Sequence, residues 1–178
     1  MARTRWQGAV LLAAALTGCA STDLVDAPPA TPAAVHQRWT GCDALGAFPR
    51  IPDFGVDPDA GSIPAGFVPT RAVVCIVQDA PGGDTSKVAD VERRSDAIDP
   101  LLTYLARPSR ISRDRDLACP AMAVSRLWLF LLDADQRWIS PQPPTDPCGF
   151  PLGTFETEPE PYQTLPWTDT VVRTRPRT

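Results

Sequence analysis

Twenty-one prolines are spread through this chain of 178 residues and limit the secondary structure that it can form. A proline has no backbone N–H and clashes with the preceding helical turn, so it ends helices and is confined to the edges of sheets. The region between residues 49 and 69 alone contains Pro49, Pro52, Pro58, Pro64 and Pro69. The proline distribution therefore predicts short elements joined by loops, without long helices.

Two apolar segments predict central strands, because both of their alternating faces are hydrophobic. They are residues 71–78 (RAVVCIVQ) and residues 127–132 (LWLFLL). The second is followed by the turn 133–136 and by residues 137–140 (RWIS), which predicts a β-hairpin. Gln136 stands in this turn where a left-handed glycine or asparagine is usual. Residues 87–94 predict a further strand, and Val171-Val172 predicts the centre of an edge strand.

Residues 95–107 carry the clearest helical pattern. Asp99 is a suitable cap, and Pro100 suits the first helical position, where its missing N–H costs nothing. The apolar stripe consists of Leu101, Leu102 and Leu105, with Ile98 as a further candidate. A second short helix is predicted near residues 159–165. Strands without regular helix alternation predict an α+β fold, with a small antiparallel sheet, one or two short helices and many loops.

The N-terminus combines Arg3 and Arg5 with an apolar run over residues 8–16. This run is too short to cross about 30 Å of hydrocarbon and predicts a secretion signal. Its end, Leu16-Thr17-Gly18-Cys19, resembles the lipobox of bacterial lipoproteins, in which the cysteine is lipidated and becomes the new N-terminus. The resemblance implies a signal peptide at 1–18 and acylation, such as palmitate, at Cys19. It also implies a lipid-anchored protein on the extracytoplasmic face of the cell membrane.

The rest of the chain predicts a single domain between two tails. Residues 19–38 hold the lipidated cysteine and an Ala/Pro/Thr-rich stretch, which predicts a tether. Residues 39–173 are expected to form one extracytoplasmic α+β domain, because the length suits a single core. Residues 174–178 are expected to be a tail.

The cysteines predict two disulfides. Five is an odd number for an exported chain, but lipidation of Cys19 leaves Cys42, Cys75, Cys119 and Cys148 in an oxidising compartment. Four cysteines allow three connectivities. We favour Cys42–Cys75 with Cys119–Cys148, because each pair brackets one block of sequence. The wide spacing disfavours a zinc site, and no other metal or cofactor is expected.

Four segments resemble a set of secreted proteins and lipoproteins of high-GC actinobacteria that have no assigned activity. These segments are 66–73 (GFVPTRAV), 92–94 (ERR), 131–135 (LLDAD) with 144–149 (PTDPCG), and 165–167 (LPW). The resemblance covers about residues 42–172. It implies sequential cysteine pairing and no particular chemistry, and that set usually has glycine where this chain has Gln136.

Few residues suggest catalysis. His36, the single histidine, falls in the predicted tether, where no scaffold would hold it beside a nucleophile. Asp133 and Asp135 could serve as a glycosidase pair or as cation ligands, but acidic turn residues usually bond their own backbone. We favour the same structural role for Asp57 and Asp59.

The aromatic and the basic side chains each allow two interpretations. Four aromatic residues could form a platform that binds a ligand, or they could pack in the core, which we favour. They are Trp128, Phe130, Trp138 and Trp167. Five arginines could form an anion-binding face or part of a mixed, solvated surface. We favour the mixed surface, because aspartates are interleaved with them. The residues are Arg93, Arg94, Arg110, Arg113 and Arg115, with Asp96, Asp114 and Asp116. The formal net charge of −4 gives no reason to expect nucleic-acid binding.

The expected function is a non-enzymatic binding or interaction module at the cell envelope. It would be attached to the membrane through Cys19 and would recognise an envelope ligand or protein that the sequence does not identify. The alternative is a carboxylate-dependent hydrolase acting on cell-wall polymer, which needs two carboxylates about 5–9.5 Å apart in a cleft. A purely structural spacer is a third possibility.

Overall fold

A five-stranded antiparallel sheet forms the centre of the fold, with strand order β6-β5-β2-β3-β7. The computed structural model describes residues 24–46, 57, 59–114, 116–121, 128–152 and 161–177. The elements are β1 (Leu24–Asp26), β2 (Pro69–Asp79), β3 (Lys87–Ser95), α1 (Asp99–Leu105), β4 (Arg110–Ser112), β5 (Leu129–Asp133), β6 (Trp138–Ile139), α2 (Pro161–Thr164) and β7 (Thr168–Pro176). A separate two-stranded ribbon pairs β1 with β4. The α+β prediction is confirmed.

The two apolar segments are the central strands of this sheet, as predicted. In β2, four consecutive residues from Ala72 to Cys75 are buried, and all five residues of β5 are buried. β2 lies between β3 and β5, and both pairings are antiparallel. The middle of such a strand has neighbours on both sides and packing on both faces. Its side chains therefore do not need to alternate between polar and apolar residues.

Helix α1 covers one face of the sheet, called here the helix face. Its Leu101 is fully buried, and the Tyr104 hydroxyl donates a hydrogen bond of 3.0 Å to the Leu152 carbonyl. The helix begins at Asp99, whereas the sequence predicted a start near residue 95 with Asp99 as the cap. Ile98 is the N-cap instead and makes no side-chain capping bond. Its side chain is 4% exposed, so burial of Ile98 in the core takes the place of a polar cap.

The opposite face, called here the aromatic face, is covered by the loop that carries Trp39 and Cys42. A disulfide joins Cys42 to Cys75 of β2, and both residues are buried. The second disulfide joins Cys119 to Cys148. The favoured connectivity is therefore confirmed. Two disulfides fit a protein that folds in an oxidising compartment outside the cytoplasm.

The predicted tether is wrong for residues 24–38, which lie against the domain. The His36 N–H donates to the Trp138 carbonyl at 2.8 Å, and the Trp138 N–H donates back at 3.1 Å. Ala33 donates to the Ser62 carbonyl at 2.9 Å. Gly61 permits this approach, because a Cβ there would lie 2.2 Å from the Thr31 carbonyl oxygen. The segment thus extends the pairing beyond β6, so the folded part includes residues 24–38 and does not begin at Trp39.

Strand β7 lies at the opposite edge of the sheet, as predicted from Val171-Val172. It extends to Pro176, three residues into the predicted tail. A bulge interrupts its register with β3 between Asp90 and Val91. In the described ranges, no helix is long and apolar enough to cross a membrane.

Candidate binding cleft

The aromatic side chains considered as an alternative ligand platform are divided between the two faces of the sheet. Trp39, Phe130 and Trp138 pack together on the aromatic face, with ring centroids 4.9 to 5.6 Å apart. Trp128 is half-buried against the same cluster, whereas Trp167 packs against the cluster on the helix face. Phe130 is 2% exposed. These rings are therefore core packing, the reading favoured from the sequence.

His36 is held by the scaffold, contrary to the tether prediction, but not beside a nucleophile. Its ring stacks on Trp138 with centroids 4.0 Å apart and planes 14° apart. Its Nε2 atom is buried and has no hydrogen-bond partner among the described residues. A general base would need a hydroxyl or thiol within hydrogen-bond reach. The stacked arrangement instead adds apolar area to the Trp138 side of the core.

The acidic turn residues bond their own backbone. Asp133 Oδ1 accepts the N–H groups of Asp135 at 3.0 Å and Arg137 at 2.9 Å, and its Oδ2 accepts Arg137 Nε at 2.7 Å. Asp57 Oδ1 accepts the N–H of Asp59 at 3.0 Å. The structural role favoured for these residues is confirmed. Asp133 is 4% exposed and already neutralised by Arg137, which leaves it no free position for a substrate.

A buried ionic cluster on β3 escaped the sequence analysis. Asp90 has no exposed surface and accepts hydrogen bonds from Arg173 Nε at 2.5 Å and Arg175 Nε at 3.0 Å, both on β7. Two positions along the strand, Glu92 accepts the Cys42 N–H at 2.9 Å and the Arg94 Nε at 2.6 Å. The sequence signal for this cluster is the placement of like charges at alternate positions, acidic on β3 and basic on β7. The two arginines at Asp90 join β7 to β3, and the Cys42 N–H bond to Glu92 joins the Cys42 loop to β3.

Two of the other arginines considered in the sequence also form ion pairs with residues that are distant in sequence. Arg93 Nε lies 3.1 Å from Asp169, and Arg110 Nε lies 3.2 Å from Asp26. Asp96 pairs with Arg71 at 2.6 Å rather than with an arginine next to it in sequence. Arg113 is exposed, and Arg115 lies outside the described residues. The mixed surface predicted for these residues is present, but its pairs are cross-strand.

A cleft with a volume of about 770 Å³ lies between four segments that are distant in sequence. One wall is the N-terminal segment 27–30, and a second is the C-terminal end of α1 with residues 106–111. Residues 142–149 form the third wall, and Ser62 and Ile63 the fourth. The volume is that of a typical small-molecule site. The cleft had no counterpart in the sequence analysis, because no motif marks it.

Apolar groups dominate the cleft lining. The side chains of Leu102, Leu105 and Ile63 are partly buried and pack against the core of the helix face. Six prolines line the walls: Pro28, Pro29, Pro108, Pro143, Pro144 and Pro147. A proline-rich wall presents rigid apolar surface and few backbone donors, because proline has no N–H and a fixed φ.

Three charged side chains line the cleft, and two already have partners. Asp146 Oδ1 accepts the N–H groups of Cys148 at 2.9 Å and Phe150 at 2.8 Å, and Arg110 pairs with Asp26. The third, Arg107, has its guanidinium carbon 6.0 Å from the Tyr104 ring centroid. In the part of the chain that the structure describes, no carboxylate lies within ion-pair distance of Arg107.

The described residues offer no support for two other kinds of site. No three histidine, cysteine or carboxylate side chains come together there as metal ligands. The hydrolase alternative needs two facing carboxylates, and the cleft lining contains one, Asp146. Cys19, the predicted lipidation site, lies outside the described residues.

Comparison with known proteins found no match: no family model, no curated protein and no solved structure matches this chain.

Proposed function

We propose that this protein is a non-enzymatic binding module of the cell envelope, and that its ligand occupies the cleft between α1 and residues 142–149. The observation that carries the proposal is the combination of an apolar cleft of about 770 Å³ with one cation, Arg107, that has no described carboxylate partner. Apolar lining with a few convergent polar groups is typical of small-molecule sites.

The lining defines the class of ligand. Leu102, Leu105, Ile63 and the prolines favour an aliphatic or alicyclic body, and Arg107 favours one carboxylate or phosphate group. The Gln142 side chain adds an amide donor and acceptor at the rim. We infer a small amphiphile with a single anionic head group.

The location completes the proposal. Two disulfides support an extracytoplasmic site, and the resemblance of residues 16–19 to a lipobox supports a lipid anchor at Cys19. Stable anchoring would require more than one acyl chain, because a single chain binds a bilayer only marginally. Mass spectrometry of the N-terminal peptide tests the anchor directly, and an unmodified Cys19 in a processed chain would overturn it.

A pair of fluorescent probes tests the cleft. Dansyl-undecanoate carries an aliphatic chain and a carboxylate, and its primary amide is the neutral control. Arg107→Gln is expected to weaken binding of the acid about fivefold, equivalent to about 1 kcal/mol, and to leave binding of the amide unchanged. Arg38→Gln, at an exposed arginine outside the cleft, is the matched control.

A second variant tests the volume of the cleft. Ala106 is exposed and lines the cleft, so Ala106→Trp is expected to fill it and to abolish binding of both probes. Ala97→Trp, at an exposed alanine outside the lining, is the control. Equal affinities for both probes in the wild type, Ala106→Trp and Arg107→Gln proteins would show that the cleft is not the site.

A further inference from the structure

The ribbon of β1 and β4 lies very close in sequence to the proposed anchor. Only residues 20–23 separate Cys19 from Leu24, the first residue of β1. Five Cα–Cα steps span at most about 18 Å when fully extended. A folded domain of about 150 residues has a radius of gyration of about 15 Å, which makes it roughly 38 Å across. An anchor at Cys19 therefore holds the ribbon within half a domain diameter of the lipid surface.

The ribbon carries a partly exposed aliphatic side chain on each of its faces. In its register Val25 lies opposite Ile111 and Leu24 lies opposite Ser112, so Leu24 and Ile111 belong to opposite faces. Leu24 is 40% exposed and Ile111 is 44% exposed. Ile111 also lines the cleft, whereas Leu24 does not. Leu24 therefore offers an apolar contact on the face of the ribbon opposite Ile111.

The segment that carries β4 is basic. Residues 107–113 read Arg-Pro-Ser-Arg-Ile-Ser-Arg and contain three arginines and no acidic residue. Arg107 and Arg113 are exposed. Arg110 pairs with Asp26, but both side chains are about half exposed or more, so water screens this pair. Asp114, Arg115 and Asp116 follow the segment, so the stretch without an acidic residue ends at Arg113. Basic side chains at a membrane surface attract anionic lipids.

We propose that the β1–β4 ribbon and residues 107–113 dock on an anionic lipid surface, the same surface to which Cys19 anchors the chain. Leu24 enters the interfacial region, and Arg107 and Arg110 contact lipid phosphates. This inference rests on the proposed lipidation of Cys19, because the four-residue connection is what brings the ribbon to the bilayer.

Hydrogen–deuterium exchange of the intact lipoprotein tests the docking. The protein is reconstituted in vesicles of phosphatidylcholine alone and in vesicles containing about one third phosphatidylglycerol. We expect amides in residues 107–113 to exchange at least fivefold more slowly on the anionic vesicles, and the difference to disappear in 1 M salt, where charges are screened beyond about 3 Å. Strand β7 serves as the internal reference, because it lies at the far edge of the other sheet.

The variants and the N-terminal peptide separate the possible failures. The double variant Arg107→Gln/Arg110→Gln is expected to abolish the difference between vesicles, and Arg38→Gln to leave it unchanged. The same mass spectra report the mass of Cys19. If Cys19 is lipidated and residues 107–113 exchange equally on both vesicles, the docking is wrong while the anchor stands. If Cys19 is unmodified, the anchor is wrong and the docking loses its basis.

Discussion

The two disulfides close loops of nearly equal length, yet the structure predicts unequal contributions to stability. The sequence separations are 33 residues for Cys42–Cys75 and 29 residues for Cys119–Cys148. In the chain-entropy model these loops contribute about 3.7 and about 3.6 kcal/mol, a negligible difference. Any larger difference between the two must come from the folded state.

The folded-state difference is burial. Cys42 and Cys75 are 0% and 1% exposed in the aromatic face, whereas Cys119 is exposed and Cys148 is only partly buried. Replacing Cys42 and Cys75 by alanine removes two buried sulfur atoms, and a cavity the size of a methyl group costs about 1 kcal/mol. We therefore expect a total loss of roughly 5–6 kcal/mol for this pair, against roughly 3–4 kcal/mol for Cys119→Ala/Cys148→Ala.

Urea unfolding followed by tryptophan fluorescence measures both losses, because Trp39 and Trp138 report on the aromatic face. The variant Cys42→Ala/Cys75→Val restores volume at one position and is expected to recover about 1 kcal/mol. Equal losses for the two alanine pairs, or a larger loss for Cys119/Cys148, would refute the reasoning from burial.

Partial reduction of the wild-type protein provides a second readout if the alanine variant does not fold. Mild dithiothreitol treatment and alkylation are expected to modify Cys119 and Cys148 first, because thiolate attack needs access to a sulfur atom. Early alkylation of Cys42 and Cys75 would contradict their burial.

Two further predictions concern single residues. Gln136 has a left-handed φ of 62°, so Gln136→Gly is expected to raise stability by roughly 0.5–1 kcal/mol in urea unfolding, whereas Ala134→Gly in the same turn is not. The hydrogen bond from Arg71 lowers the pKa of Asp96 below its ordinary value, which stabilises the fold at neutral pH and is lost as the pH falls below about 4. Between pH 7 and pH 3, Asp96→Asn should therefore lose less stability than the wild type, and Asp135→Asn should behave as the wild type does.

The sheet could be predicted from the sequence because its central strands are marked by side-chain pattern. Burial on both faces requires the unbroken apolar runs of β2 and β5, and these runs have few other interpretations. The turn after β5 could also be predicted, because the short carboxylate side chain of Asp133 accepts hydrogen bonds from nearby backbone N–H groups.

The N-terminal segment was misread because it docks through its backbone. His36 and Ala33 are held by main-chain bonds to Trp138 and Ser62, and main-chain bonds leave no trace in a side-chain pattern. Its Ala, Pro and Thr content is equally compatible with a free tether. The cleft was missed for a related reason: its walls come from four separate segments, and only the tertiary fold brings them together.

The ionic cluster shows how charge alternation can mislead. Asp90 and Glu92 occupy alternate positions of β3, which resembles a solvated strand face. The guanidinium partners of Asp90, Arg173 and Arg175, follow more than eighty residues later, on β7. Sequence alone does not indicate which acidic strand will pair with which basic strand. Charged residues at alternate positions of a strand are therefore compatible with a solvated surface and with a buried ionic cluster.

Strand β7 follows all other strands of the sheet in sequence and lies at its edge, which makes its pairing a slow step of folding. Its hydrogen bonds to β3 join residues more than seventy positions apart, and they complete the sheet and the ionic cluster around Asp90. Contacts of such high sequence separation form slowly. Until β7 pairs with β3, the sheet lacks one edge and Asp90 lacks both of its guanidinium partners.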